Sequence, residues 1–301
     1  MKKNYKILVT GVAGFIGSKV CEELQRKKYS IIGVDNLSSG KKKNIPKNII
    51  FFKFDLSNYQ NYKKLPKCKY ILHLAGQSSG DISFDNPVAD LKKNTQSTLN
   101  LIKFGIKSKT KKIIYASSMS VYGDLKKKRY DENLEPKPKS CYGISKLASE
   151  NYLKVFSKKL NYINFRMFNV YGPGQDLSNI RQGMVSIYLA QALKNKKIIV
   201  KGSLNRIRDF IYIDDVVKIW VKSLNNNISN QTINLSSGKP TSVKKLLSEI
   251  RLLIPGTKII KASATRGDQF RAVGNSRKLN KIFKYKFTPL RIGLRKFLKS
   301  I

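Results

Sequence analysis

Short apolar runs alternate with longer amphipathic stretches through the first two-thirds of the chain. Runs rich in β-branched and aromatic residues lie around Ile7 and Ile31 and at 49–54, 70–74, 112–117 and 162–165. Bounded runs of that length predict buried strands. Between them, apolar residues spaced three and four apart predict helices over 15–28, 87–107 and 142–159. Strands that alternate with helices build parallel βαβ units, with right-handed crossovers and helices on both faces of one sheet. After about residue 172 the rhythm changes. Helices are predicted over 181–195, 214–224 and 242–253, with short strands near Ile198 and Ile233. The stretches 134–139 and 225–230 are polar or proline-bearing and read as loops. No internal repeat is present. The expectation is an α/β chain: a doubly wound parallel sheet over residues 1–171 and a smaller α/β lobe over 172–301, partly interleaved with it.

The first apolar run ends in Gly11-Val-Ala-Gly14-Phe15-Ile16-Gly17. Glycines at that spacing permit a tight turn and let backbone approach a pyrophosphate, while the helix starting near Phe15 aims its N–H groups at the anion. A bare glycine-rich turn also serves a merely structural purpose. Here a strand precedes it, a helix follows, and a second strand ends in Asp35 at the distance expected for an acid that holds an adenosine ribose. A carboxylate there favours NAD over NADP, because it repels an added phosphate. Asn36 follows, with no arginine beside it.

A second constellation lies further on. Tyr142 and Lys146 are four apart and share one helix face. An ammonium beside a phenol favours the phenolate, so Lys146 is expected to lower the pKa of Tyr142. A tyrosine poised that way can take a proton from a sugar hydroxyl. Ser118, in Ser117-Ser118-Met119-Ser120-Val121-Tyr122-Gly123, is placed to hydrogen-bond the same substrate oxygen. These three are the candidate catalytic residues.

With these motifs in order, the chain resembles the extended short-chain dehydrogenases/reductases, in their branch of NAD-dependent nucleotide-sugar epimerases and dehydratases. Further matching strings are Asp35 to Gly40, Asp55-Leu56, His73 to Gly76, Asn94, Arg166 to Gly174 and Arg208 to Asp215. The resemblance implies a Rossmann-type sheet and bound NAD. It assigns Ser39, Gly40, Asp55, Leu56, Leu74, Ala75, Gly76 and Asn94 to the cofactor side, and gives Lys146 a second role on the nicotinamide ribose. It assigns Ser78, Ser118, Asn169, Arg181 and Arg208 to a nucleotide-diphosphate sugar, a UDP-sugar by preference, with Gln182 near the base. Arg208 matches the family's diphosphate arginine. One departure stands out. Thr265 replaces the arginine usual before Gly267-Asp268, leaving Arg266 or Arg271 to substitute, while Ala272 lies near a position that gates N-acetyl sugars. Dehydratases of the family carry an acid pair after the active-site hydroxyl. Met119 and Ser120 stand there instead, and neither moves that proton. The sequence resembles most the UDP-glucose 4-epimerases, in which hydride leaves and returns at the 4-position through a transient 4-keto sugar. A reductase or dehydrogenase of the same family is the alternative. The resemblance also implies a homodimer built on the helices around 94–107 and 142–159.

Composition changes the picture little. The formal charge is +42, which invites a nucleic-acid reading. The lysines are scattered, however, and no nucleic-acid-binding motif accompanies them, so no specific nucleic-acid partner is expected. An inactive basic binding protein remains the alternative of a different class. No apolar run of 18 or more residues is present, so no membrane span is expected. The lysines and apolar stretch near Met1 mimic a leader, but they are the first strand and phosphate turn. Three cysteines, Cys21, Cys68 and Cys141, show no metal spacing. No metal and a cytoplasmic, reduced setting are expected.

Overall fold

The computed structural model describes residues 5–125, 127–181, 183–263 and 269–301. Its strands are β1 (Lys6–Thr10), β2 (Ser30–Asp35), β3 (Ile50–Lys53), β4 (Tyr70–His73), β5 (Lys112–Ser118), β6 (Asn161–Met167), β7 (Asn169–Tyr171), β8 (Lys197–Lys201), β9 (Ile207–Tyr212), β10 (Gln231–Leu235), β11 (Pro240–Ser242), β12 (Lys258–Ala262) and β13 (Arg271–Ala272). Its helices are α1 (Phe15–Arg26), α2 (Ile82–Asp85), α3 (Pro87–Leu91), α4 (Ser97–Lys107), α5 (Cys141–Val155), α6 (Met184–Asn195), α7 (Ile213–Lys222), α8 (Val243–Leu253), α9 (Arg277–Phe283) and α10 (Leu290–Lys299).

One parallel sheet of seven strands, ordered β10-β6-β5-β4-β1-β2-β3, organises the molecule. The alternation along its strands shows why it is covered on both faces. Ile7 and Val9 of β1 join one apolar core with Leu72 and Ile114, while Leu8 joins the other with Ile71 and Ile113. The strand order reverses between β1 and β4, and a crevice opens there beyond the carboxyl ends.

The run around Ile233, expected in the smaller lobe, returns to the large sheet as β10, parallel to β6. The smaller lobe keeps β7, β9, β11 and β13 in one sheet and β8 and β12 in another. The helix expected over 87–107 is three pieces. Asn86 caps α3, its side-chain oxygen accepting from the Ala89 N–H at 2.9 Å. A π turn at Lys92–Gln96 follows, and then α4. The π turn carries Asn94, in keeping with the frequent use of such turns at functional sites.

Candidate functional site

The residues expected to hold the cofactor cluster at the crevice. A Cβ on Gly17 would lie 2.0 Å from the Gly11 carbonyl oxygen, so only glycine lets α1 begin this close to the turn. Gly14 caps α1 with no side chain, leaving first-turn N–H groups beside Phe15 and Ile16 for an anion. Asp35 is held by backbone: Ala13 N–H donates to Oδ2 at 3.0 Å and Leu37 N–H to Oδ1 at 2.8 Å. Each oxygen keeps a lone pair for a ribose diol. Asn36 donates to Asp55 at 3.3 Å, and Ser57 N–H donates to it at 2.8 Å. Burial raises the Asp55 carboxyl, but these donors prevail and hold it below its ordinary value. Leu56 is buried beside it, Gly40 packs against Ala13, and Ser39 is exposed.

The end of β4 is fixed by a neutral relay. Leu74 and Ala75 N–H groups both donate to Thr10 Oγ1 at 3.2 Å. The hydroxyl proton of Thr10 is then left for His73 Nδ1, 2.8 Å away. His73 Nε2 donates to Thr98 Oγ1 at 3.1 Å, and Thr98 donates to the Asn94 carbonyl at 2.6 Å. Burial, helped by the Lys146 charge, pushes the His73 imidazole down to about 3, so it stays neutral.

Tyr142, Lys146 and Glu150 share one face of α5. Ser140 caps that helix, accepting from Gly143 N–H at 3.1 Å. Ser118 ends β5, and its Oγ accepts from Ser120 N–H at 3.1 Å, which leaves its own proton free to donate. The expected depression of the Tyr142 pKa is absent here. Burial lifts the phenol to about 12, offset in part by Ser118 and reinforced by Asp90. Lys146 Nζ lies 5.6 Å from the Tyr142 ring centre and 4.9 Å from that of Tyr115. Burial pushes Lys146 itself down to about 8, against the pull of Asp90 and Glu150. The phenol therefore keeps its proton and the ammonium its charge near neutral pH.

Gly76 marks where these groups meet. Its φ is +152°, and a Cβ there would lie 2.4 Å from Asn94 Oδ1 and 3.4 Å from Lys146 Nζ. Asn94 Oδ1 is buried and has no hydrogen-bond partner. An unpartnered acceptor and an ammonium at the edge of a glycine cradle fit a dinucleotide's ribose. Deeper in, Arg166 pairs with Glu150 at 2.7 Å, both nearly inaccessible, and Ser117 donates to the same carboxylate. Tyr122 is fully buried against the Arg166 guanidinium and donates to Asn234 at 2.7 Å, so it is a core aromatic.

Across from Tyr142 lies a cleft of about 250 Å³. Ser78, Ser118, Met119, Ser120, Tyr142 and Asn169 line it, with Phe15, Ile16, Met184 and Phe210. No charged side chain lines it among the described residues. The two candidate substrate arginines stand outside it. Arg208 is buried on β9 and donates to the carbonyls of Ile207 and Phe270 at 3.0 and 3.3 Å. Arg181 is exposed and pairs with Asp81 and Asp85 at 2.8 and 2.9 Å. Gln182 and 264–268, with Thr265 and Arg266, lie outside the described residues. Arg271 donates to the Lys128 carbonyl at 2.9 Å, and Ala272 is buried.

Residues 7–236 match the model of the NAD dependent epimerase/dehydratase family. The chain belongs to that family. NAD is its cofactor, and a nucleotide sugar its substrate. A putative UDP-glucose 4-epimerase of Methanocaldococcus jannaschii is 36% identical over 81% of each chain. UDP-glucuronic acid decarboxylase 1 of Xenopus tropicalis is 30% identical over 98% of this chain and 72% of its own. The crystal structure of UDP-glucose 4-epimerase with UDP-glucose from Thermotoga maritima superposes with a TM-score of 0.94, at 32% identity over 98% of both chains. Among the described residues no helix is long and apolar enough to cross a membrane, and no group of three or more potential ligands could hold a metal.

Sequence reasoning gave no role to Asp90, Glu150 or His73. Glu150 was within reach of it, as the next step of the four-residue spacing from Tyr142 and Lys146. Asp90 stands four before Asn94, a spacing whose meaning depends on where the π turn aims it.

Proposed function

We propose that the protein is a nucleotide-sugar 4-epimerase acting on a UDP-linked hexose whose sugar carries no charge. The observation that carries this reading is the uncharged cleft in front of one proton-transferring group. Epimerisation needs a single group that takes the proton of the 4-hydroxyl and later returns it. Tyr142 in its phenolate form takes that proton and becomes a phenol, with Ser118 hydrogen-bonded to the same substrate oxygen and the Lys146 ammonium favouring the phenolate beforehand. NAD, held by the Gly11 to Gly17 turn, Asp35, Asn94 and Lys146, would supply the hydride acceptor and donor for C4, and the positive charge of its oxidised form would favour the Tyr142 phenolate that burial alone disfavours. The 4-keto sugar turns in the cleft, so that hydride returns to the opposite face of C4 while Tyr142 gives its proton back to the oxygen. Ser78 and Asn169 offer the sugar hydrogen bonds without charge.

Elimination of water needs a further acid and base, and Met119 and Ser120 provide neither. A uronic acid needs a cation for its carboxylate, which the described cleft lacks. This weighs against the decarboxylation that one relative is named for. Uridine is supported by the names of the relatives and by the sugar nucleotide in the Thermotoga structure. The test is incubation with UDP-glucose, UDP-galactose, their N-acetyl counterparts and UDP-glucuronic acid, with products read by NMR and NADH by absorbance. Inversion at C4 with no accumulation of NADH is expected. Net NADH, loss of water or loss of carbon dioxide would overturn the assignment.

A homodimer is part of the same proposal. Ile144, Tyr152 and Val155 form an exposed stripe along α5, 56%, 40% and 74% accessible, and Val88 and Leu91 of α3 are exposed at 64% and 53%. Apolar side chains grouped in this way mark an interface. Val155→Glu should shift the protein from dimer to monomer in sedimentation equilibrium. A wild-type monomer at micromolar concentration would remove the idea.

A further inference from the structure

We infer that Asp90 is the counter-ion of Lys146 and a positioning residue for the catalytic wall: one carboxylate oxygen orients Asn94, and the charge keeps Lys146 protonated. A buried ammonium must be paired. Lys146 is 4% exposed. The groups that bear on it are Tyr142 and Glu150 from α5, Tyr115 from β5, His73 from β4, Asn94 from the π turn and Asp90 from α3. His73, Tyr115 and Tyr142 are uncharged near neutral pH. Glu150 is committed to Arg166, whose Nε and Nη2 reach it at 3.0 and 2.7 Å.

Asp90 makes no ion pair with another cation among the described residues, and it is joined to Lys146 through Asn94 rather than by direct contact. It is 1% exposed, its Oδ1 accepts from Asn94 Nδ2 at 3.1 Å, and its Oδ2 has no hydrogen-bond partner. The same Asn94 turns its own oxygen to the point beside Gly76 that Lys146 Nζ also reaches. Burial raises the Asp90 carboxyl, and Ser145, Lys146, Asn94 and Lys93 pull it back down. Asp90 thus acts through Lys146 and Asn94 without itself lining the sugar cleft. This role rests on the proposed chemistry for its purpose, but its electrostatic content stands apart from it.

The test reads ionisation directly. Protein labelled with ¹³C at the lysine ε carbon is titrated, and the Lys146 signal is assigned by its loss in Lys146→Met. In Asp90→Asn, which keeps the acceptor for Asn94 and removes the charge, the Lys146 midpoint should fall by at least one pH unit. Asp90→Glu should restore most of that fall. In the reciprocal arm, Lys146→Met should raise the midpoint of the Asp90 carboxyl, followed by ¹³C at the aspartate γ carbon. An unchanged Lys146 midpoint in Asp90→Asn, or an unchanged Asp90 midpoint in Lys146→Met, would overturn the pairing. In turnover, the alkaline limb of kcat should move with the Lys146 midpoint while KM stays within about twofold. A protein inactive on every nucleotide sugar would sink the proposed reaction and leave the two titrations to decide this inference.

Discussion

The two walls of the cleft are built on opposite electrostatic plans. The wall of α3, α5, β6 and the π turn buries Asp90, Lys146, Glu150 and Arg166 side by side. The lining of the cleft itself shows no charge among its described residues, in a chain whose formal charge is +42. Surface lysines therefore say little about the reaction. Buried charges are costly, persist only when paired, and mark where proton chemistry is controlled. A neutral lining recognises hydroxyls by hydrogen bonds and shape, which is what the proposed turning of a keto sugar requires.

The sharpest way to break this contrast is to remove the one group that works across it. Tyr142→Phe keeps the ring and deletes the proton carrier. Turnover should fall by about 10³-fold or more, while NAD binding, followed by fluorescence, stays within about twofold. Retained turnover would move the acid–base role to the wall thought to be neutral.

Next in size is a test of whether the charged wall depends on its pairing. Arg166→Met strands Glu150, which is buried and accepts both Arg166 donors. Denaturant unfolding should show a loss of about 3 kcal/mol or more. Adding Glu150→Gln to that variant should recover part of it, because the cost lies in the unpaired charge. A loss below about 1 kcal/mol would mean that water already reaches this pair.

The same contrast explains what the sequence disclosed. The turn between β1 and α1, Asp35 at the end of β2 and the shared helix face of Tyr142 and Lys146 were legible because each follows from a local pattern of residues. The alternating strands were legible because both faces of the sheet are buried. The return of residues 231–235 to the large sheet was not, because partner choice between strands depends on contacts far apart in sequence. Neither was the placing of Asp90 against Lys146. Those residues are far apart in sequence, and a π turn decides which way the helix between them faces. The expected fall in the Tyr142 pKa failed for a related reason. Spacing brought a lysine near the phenol but did not reveal how deeply both would be buried.

The smallest effect probes an uncharged member inside the charged wall. His73 is the only histidine in the chain and relays hydrogen bonds from Thr10 to Thr98. Its folded value of about 3 lies below its ordinary 6.5, so the unfolded chain binds a proton that the folded one refuses. Stability from this group is fully present above pH 6.5 and is lost as pH falls toward 3, by about 1.4 kcal/mol per unit between those limits. Asp209 works the other way. Burial lifts its carboxyl to about 6, against hydrogen bonds from Ser237, Gly238 and Gly274. Its stabilising share is therefore present at low pH and is lost as pH rises through that value. Between about pH 4 and 6 the two slopes oppose each other, and the wild-type protein alone would hide both. The difference between wild type and His73→Gln isolates one of them, since glutamine can bridge the two threonines but does not titrate. Measured in urea at pH 5 and pH 6, that difference should grow with pH by about 1.2 kcal/mol. A difference independent of pH would mean that the imidazole is protonated in the folded state, and that the relay carries a charge.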